Sequence, residues 1–226
     1  MAPIRYVNEQ ENEALEKLKI GKRRFDLEDS NFKDSLSNDD FIYVPSIDLY
    51  VAKERKLLGE NWFDSQKELH SKNEKMLTIP EFLEFLKYTK KNYKDIYKEI
   101  TEVKSLWRAE WLDADFKVYG GELRVNYHMF QDGKIIQKSE VLDKNTLMNN
   151  PTPGISLEGY LTNSHTSQGL PSKDVKKGDL HYKIPRRDNN SVARFDANNV
   201  WTYFSGYGNP SNKSNYLGVR VAKQRE

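Results

Sequence analysis

Thr78-Ile79-Pro80-Glu81 limits what this chain can fold into more than any other four residues. Thr78 carries the short oxygen side chain of a helix N-cap, Pro80 suits a first turn, and Glu81 stands three residues past the cap, completing a capping box. Phe82, Leu83, Phe85, Leu86 and Tyr93 then recur at helical spacing, and Ile96, Tyr97 and Ile100 continue the face. The pattern predicts an amphipathic helix of about 20 residues. From Trp107 the period falls to two. Residues 123–130 alternate, Asp132-Gly133 is the dipeptide of a tight hairpin, and Lys134-Ile135-Ile136-Gln137 leads back.

Other segments add strands and little helix. Residues 41–51, rich in β-branched and aromatic side chains, read as extended chain broken at Pro45. Ile155, Leu157, Tyr160 and Leu161 predict a short second helix ending before Asn163, and residues 180–185 read as a strand. The final 40 residues break into short extended pieces with turns at Gly206, Gly208-Asn209-Pro210 and Gly218. The expectation is an α+β chain with two helices and short, irregular strands. Residues 1–40 stand apart as a charged N-terminal segment and linker. Leu15 and Leu18 could stripe a short helix there, and residues 26–40 are rich in Asp, Ser and Asn.

Composition excludes several functions. With no cysteine the chain has no disulfide, no thiolate nucleophile and no sulfur-ligated metal. The 36 basic and 34 acidic residues leave a net charge of +2, without the basic stripe of a dedicated nucleic-acid binder. The N-terminus lacks the apolar core of a signal peptide, and no run reaches the roughly 18 apolar residues of a spanning helix, so no membrane insertion is expected. His70, His128, His165 and His181 are scattered, with no ligand-pair spacing. No cofactor or metal is implied, and no glycine-rich loop resembles a phosphate cradle.

Two charged groups stand beside aromatic residues. Arg108, Glu110, Asp113 and Asp115 lie between Trp107, Trp111 and Phe116. Paired carboxylates there could serve acid–base chemistry or hold an ion. The simpler reading is a partly buried Arg108–Glu110 ion pair that ties the strand to its neighbours. Arg194, between Val192, Ala193 and Phe195, reads likewise as a buried organising guanidinium.

The C-terminal tract has a different character. Seven asparagines between 189 and 215 are interleaved with Ser191, Ser205, Ser211, Ser214 and the rings of Trp201, Tyr203, Phe204, Tyr207 and Tyr216. Small adaptable hydrogen-bonding groups beside rigid amphipathic rings make a recognition surface and offer little to catalysis. Leu217-Gly218-Val219-Arg220-Val221-Ala222 then reads as a buried terminal strand that pins the tract down.

Trp107-Arg108-Ala109-Glu110-Trp111-Leu112-Asp113-Ala114, Pro153-Gly154-Ile155-Ser156-Leu157, Gly169-Leu170-Pro171, Asn190-Ser191-Val192-Ala193-Arg194-Phe195 and Leu217-Gly218-Val219-Arg220 together resemble the variable proteins of diversity-generating retroelements. The type is that of archaea, their viruses and small uncultivated microbes, and the likeness covers residues 41–226. It implies a C-type lectin-like fold related to formylglycine-generating enzymes, and a variable ligand-binding region at about 189–220 rewritten by an adenine-mutagenising reverse transcriptase. An Asn codon carries two adenines whose replacement reaches Tyr, Ser, Asp and Gly, which is the bias of this tract. Asp196, Asn198, Asn199, Tyr203, Ser205, Tyr207, Asn209, Ser211, Asn212, Ser214 and Asn215 are then the expected ligand-binding surface positions. Phe195, Leu217 and Val219 are the expected scaffold. Trp201 has a codon that adenine replacement in an Asn codon cannot produce, which makes it scaffold or the product of another template; Lys213 fits an adenine-rich codon. The implied partner is a variable macromolecular ligand, a protein or cell-surface target, met on a virion or cell surface. A degenerate enzyme of the formylglycine-generating kind and a structural subunit of a virion or surface layer are the alternatives.

Overall fold

The computed structural model describes residues 40–103 and 105–225. The charged segment 1–39 lies outside the described residues. From Asp40 onward the chain forms one unit. Strands β1 (Phe41–Val44) and β2 (Leu49–Ala52) pair antiparallel around the turn that begins at Pro45. Helix α1 (Trp62–Ser71) follows, then the two-residue strand β3 (Lys75–Met76).

Thr78 caps α2 (Ile79–Asn92) with both hydrogen bonds of the capping box in place. The predicted helix is divided, because Tyr93, at φ −139 and ψ 65, leaves the helical backbone between α2 and α3 (Lys94–Thr101). The Thr89 hydroxyl bonds back to the Phe85 carbonyl at 2.9 Å, and the Asn92 amide to the Tyr88 carbonyl at 2.9 Å. Such side-chain bonds compete with the helical ladder and bend it. Thr78→Ala is expected to cost about 1 kcal/mol of unfolding free energy, measured by urea denaturation, since it removes the cap. A loss below the error of the measurement would mean that packing alone sets the start of α2.

Three long strands come next: β4 (Arg108–Tyr119), β5 (Glu122–Gln131) and β6 (Lys134–Val141). The Asp132-Gly133 turn joins the last two, with both residues at positive φ as this tight turn requires. Helix α4 (Leu157–Thr162) lies in the long connection to β7 (Leu180–Lys183). Then follow β8 (Ser191–Ala197), β9 (Thr202–Gly208), β10 (Leu217–Val219) and β11 (Val221–Gln224). The chain is α+β and mostly strand. It differs from expectation in having four helices among the described residues and in the length of β4, which at 12 residues is neither short nor marginal.

Two sheets result. In the first, β11 lies between β2 and β3, so the last strand closes against the first ones. The second runs β6-β5-β4-β8-β9-β7, and β10 joins β4 in parallel over Ala109–Trp111. Thus one edge of β4 is shared, β10 taking its first part and β5 its last. Side chains of β4 divide between two apolar clusters. Leu112, Ala114 and Phe116 join the larger with Phe82, Phe195 and Phe204, while Ala109 and Trp111 join the smaller with Trp62, Leu217 and Val219. Among the described residues no helix is long and apolar enough to cross a membrane.

The carboxylates of β4 are held in structural pairs. Glu110 is wholly buried, its two oxygens 3.0 Å from Arg108 Nη2 and 2.9 Å from Arg220 Nε. Burial alone would raise its pKa, but Arg220 and Arg108 outweigh that and hold it below the usual carboxylate value. Arg220 also reaches Glu99 at 3.0 Å and the Ala52 and Lys53 carbonyls, so one guanidinium ties β2, α3, β4 and the last two strands. The pair expected between Arg108 and Glu110 exists, but it is fully rather than partly buried and has this second arginine.

Candidate functional site: the outer face of β7, β8 and β9

Strand alternation sorts the C-terminal tract into two sets. Along β8, Ala193 and Phe195 enter the larger core, while Arg194 and Asp196 face the other way, paired in register with Ser205 and Tyr203 of β9. Phe204 of β9 stacks on Tyr160 and Tyr182 at ring distances of 5.5 and 5.8 Å. Tyr203 and Tyr207 stay half-exposed. Because β9 is hydrogen-bonded to β8 on one side and to β7 on the other, the backbone under these tyrosines is fixed from both edges.

The eleven expected surface positions do not all reach solvent. Asn199, Asn209, Ser211, Asn212 and Asn215 are exposed, and Asn198, Tyr203, Tyr207 and Ser214 are half-buried. Asp196 and Ser205 are buried, a correction with a clear cause. Both sit mid-sheet, where Asp196 accepts from Arg194 Nε at 2.9 Å and from the Trp107 indole at 3.3 Å. Three of the others support their own turns. Asn198 accepts from the Val200 and Trp201 amides at 2.8 Å each, Asn209 from Ser211 N at 3.0 Å, and Ser214 from Tyr216 N at 3.2 Å. These are the local side-chain bonds that make Asn and Ser turn residues. Phe195, Leu217 and Val219 are buried.

The loop 209–216 is pinned along its length. Trp62 N donates to the Pro210 carbonyl at 3.0 Å, and Gly59 N to the Ser214 carbonyl at 3.0 Å. Lys213 Nζ lies 3.2 Å from both Glu60 and Asp64. The backbone of this loop is therefore held by main-chain bonds and by the surface ion pairs of Lys213 with Glu60 and Asp64.

Residues outside the tract complete the face. Arg194 is half-buried rather than buried, its guanidinium 5.4 Å from the Trp107 ring and 6.0 Å from that of Trp111. Arg186 lies 4.1 Å over the Tyr207 ring. His181, on β7, has its ring 4.1 Å from Trp201 and 5.2 Å from Tyr203, and its Nε2 has no hydrogen-bond partner. Burial, then Lys183, lowers its pKa, which keeps the imidazole neutral at pH 7. Trp201 is 42% exposed and belongs to this aromatic row, not to the scaffold. The sequence held a signal for His181 in the alternation Leu180-His181-Tyr182-Lys183, which sends Leu180 and Tyr182 inward and the other two out. A face of Trp, Tyr, His and Arg bordered by exposed Asn and Ser offers stacking, cation–π contact and adaptable hydrogen bonding.

Other groups considered from the sequence are placed elsewhere. Asp113 is buried and accepts from Gln66 Nε2 at 2.6 Å and from His128 N at 2.8 Å. Asp115 lies 3.0 Å from Lys117, and burial raises its pKa. His128 is a strand residue whose ring meets that of His70 at 4.5 Å. Among the described residues no group of three or more His, Cys, Asp or Glu is placed to hold a metal ion.

The His70 contact has a pH consequence. Burial, then His128, lowers the His70 pKa from 6.5, Lys75 adding to this and Asp113 opposing it. The unfolded chain then binds the proton more readily, so stability is lost as pH falls below about 6.5. Urea midpoints between pH 7.5 and 5 are expected to fall less steeply in His70→Asn than in the natural chain. Equal slopes would contradict this assignment.

Comparison with known proteins finds no matching family model, no matching curated protein and no matching solved structure.

Proposed function

We propose that this protein is a non-enzymatic binder of C-type lectin-like architecture whose C-terminal surface, about residues 189–220, is diversified by adenine-specific retroelement mutagenesis. The observation that carries the proposal is the sidedness of the tract. Phe195, Phe204, Leu217 and Val219 are buried, while Asn199, Tyr203, Tyr207, Asn209, Ser211, Asn212 and Asn215 retain solvent exposure on a backbone fixed by β7, β8 and residues 59–64. Such a division lets recognition change without refolding. The motif likeness supports the finer architecture, and the mixed, strand-rich body accommodates it. The ligand would be a macromolecule, a protein or a cell-surface target, engaged by the tyrosines and the loop amides. Copies displayed together on a virion or cell would convert modest single-site affinity into avidity.

A library with Asn, Tyr, Ser, Asp and Gly at Asn199, Tyr203, Tyr207, Asn209, Ser211, Asn212 and Asn215 tests this. Panned against two unrelated proteins, it is expected to yield different enriched sequences, most of them folded. Failure of most members to fold, or no enrichment over a library made at residues 131–134, would count against it. A second reading rests on Val200, Trp201 and Tyr216, large apolar side chains left exposed in the tract. In a structural subunit they would pack on another copy, and a stable oligomer burying Trp201 would favour that reading.

A further inference from the structure

The near balance of charge over the whole chain hides a local excess. Residues 173–187 hold Lys173, Lys176, Lys177, Lys183, Arg186 and Arg187 against Asp174 and Asp179, a net charge of +4 where the 226 residues together carry +2. The stretch runs through β7, the strand at one margin of the outer face of β7, β8 and β9.

Local structure brings these cations to that margin. Ile155 bridges both Lys177 and Leu180, and Ser156 N donates to the Lys176 carbonyl at 2.7 Å, which holds the exposed Lys176 and Lys177 beside the first residue of β7. Lys183 is in register with Ser205 of β9 and lies on the same side of β7 as His181. The chain after β7 then stays against β9. Gly206 allows this, since a Cβ there would stand 2.8 Å from Pro185, and Arg186 comes to lie 4.1 Å over the Tyr207 ring. Little negative charge answers these groups. Among the described residues Lys176, Lys177 and Lys183 have no ion-pair partner, and Arg186, its side chain 57% exposed, reaches only Asp188, at 4.0 Å. Arg187 donates to the Gly121 carbonyl. Against these five cations the margin sets the exposed Asp179 and Asp188. Within the face, Asp196 is buried and already accepts from Arg194 and the Trp107 indole, and Glu60 and Asp64, beside the loop 209–216, are engaged by Lys213.

Unpaired cations beside half-open rings are complementary to acidic groups and reject basic ones. A polypeptide rich in Asp and Glu carries such groups, and so does a nucleic acid. A bound single strand, however, needs successive open rings on which its bases stack. Here Trp201 closes on His181 at 4.1 Å, and Tyr203 is half-buried against the same ring at 5.2 Å, so the row offers no such ladder. Resting on the variable-surface reading, we infer that this face takes an acidic polypeptide segment. Lys183 and Arg186 receive its carboxylates along the β7 margin, and Trp201, Tyr203 and Tyr207 cover its larger side chains. Because the β7 cations lie outside the eleven expected variable positions, the preference for acidic targets stays constant while the rest of the surface changes.

A random peptide library panned on the natural chain supplies the probes, which are then synthesised as found and with Gln and Asn in place of Glu and Asp. The enriched peptides are expected to be richer in Asp and Glu than the unselected library. By fluorescence anisotropy the amide versions should bind about tenfold or more weakly, the difference one charge-assisted hydrogen bond makes. Lys183→Gln combined with Arg186→Gln should remove that difference, and Lys183→Gln alone serves if the pair is unstable. Lys91→Gln combined with Lys94→Gln, the same change of charge at exposed positions of α2 and α3, should keep it. No enrichment, enrichment without acidic excess, or an equal loss in the Lys91 and Lys94 variant overturns the inference. Oligo-dT that binds tighter than the acidic peptides assigns the margin to nucleic acid and overturns it too. The library varied at Asn199 to Asn215 reads the underlying claim separately: retargeting without acid preference sinks this inference alone, and acid preference without retargeting sinks only the varied tract.

Discussion

Glu110→Ala is expected to destabilise the protein by about 3–5 kcal/mol, because it removes the buried carboxylate between Arg108 and Arg220 and leaves both guanidiniums to the partly exposed Glu99 alone. Against a total stability of about 5–15 kcal/mol, that loss brings the chain close to unfolding. The cost comes from stranding charge, not from the worth of the ion pair itself. Joint replacement of Arg108, Glu110 and Arg220 by Met, Leu and Met should therefore recover much of the loss. Urea denaturation followed by tryptophan fluorescence measures both. A loss below about 1 kcal/mol for Glu110→Ala would mean that water reaches this cluster and that the fold does not depend on it.

The second large effect separates scaffold from surface within the C-terminal tract. Phe195→Ala should cost about 3–5 kcal/mol, since the ring is fully buried and packs 5.2 Å from Phe82. Asn199→Ser, Asn212→Ser and Asn215→Ser, nearby in sequence, should each stay within about 0.5 kcal/mol. Asn198→Ala should fall between them at about 1 kcal/mol, as its side chain caps the turn at Val200 and Trp201. If the three exposed asparagines cost as much as Phe195, the tract carries the fold and cannot be a freely varied surface.

Much of the body was legible from local pattern. The Thr78 capping box and the Asp132-Gly133 turn are read within a few residues, and both form. Alternation within residues 191–197 and 202–208 is enough by itself to separate Phe195 and Phe204 from Tyr203. What escaped was either polar where pattern expects apolar, or distant in sequence. Helix α1 has an N-cap at Asn61, yet two of its four buried side chains are Ser65 and Gln66, so no apolar stripe marks it. The partnership of Glu110 with Arg220 joins residues 110 apart, and no spacing rule reaches that far. Asp196 and Ser205 were expected at the surface because they share the composition of the tract. Their places between neighbouring strands follow from sheet order, which composition does not contain. Arg194 was expected inside because its neighbours are apolar, but alternation turns it outward beside Trp107.

The variable-surface account is tested most directly in the gene. The DNA around it, and the gene resequenced across its source population, should show a near-copy of the codons for residues 190–222 that differs only at adenines, beside a reverse-transcriptase gene. Substitutions should concentrate at exposed positions such as Asn199, Asn209, Ser211, Asn212 and Asn215 and spare Phe195, Leu217 and Val219. If no such repeat exists and changes are spread evenly along the chain, the tract is an ordinary surface and the account is wrong.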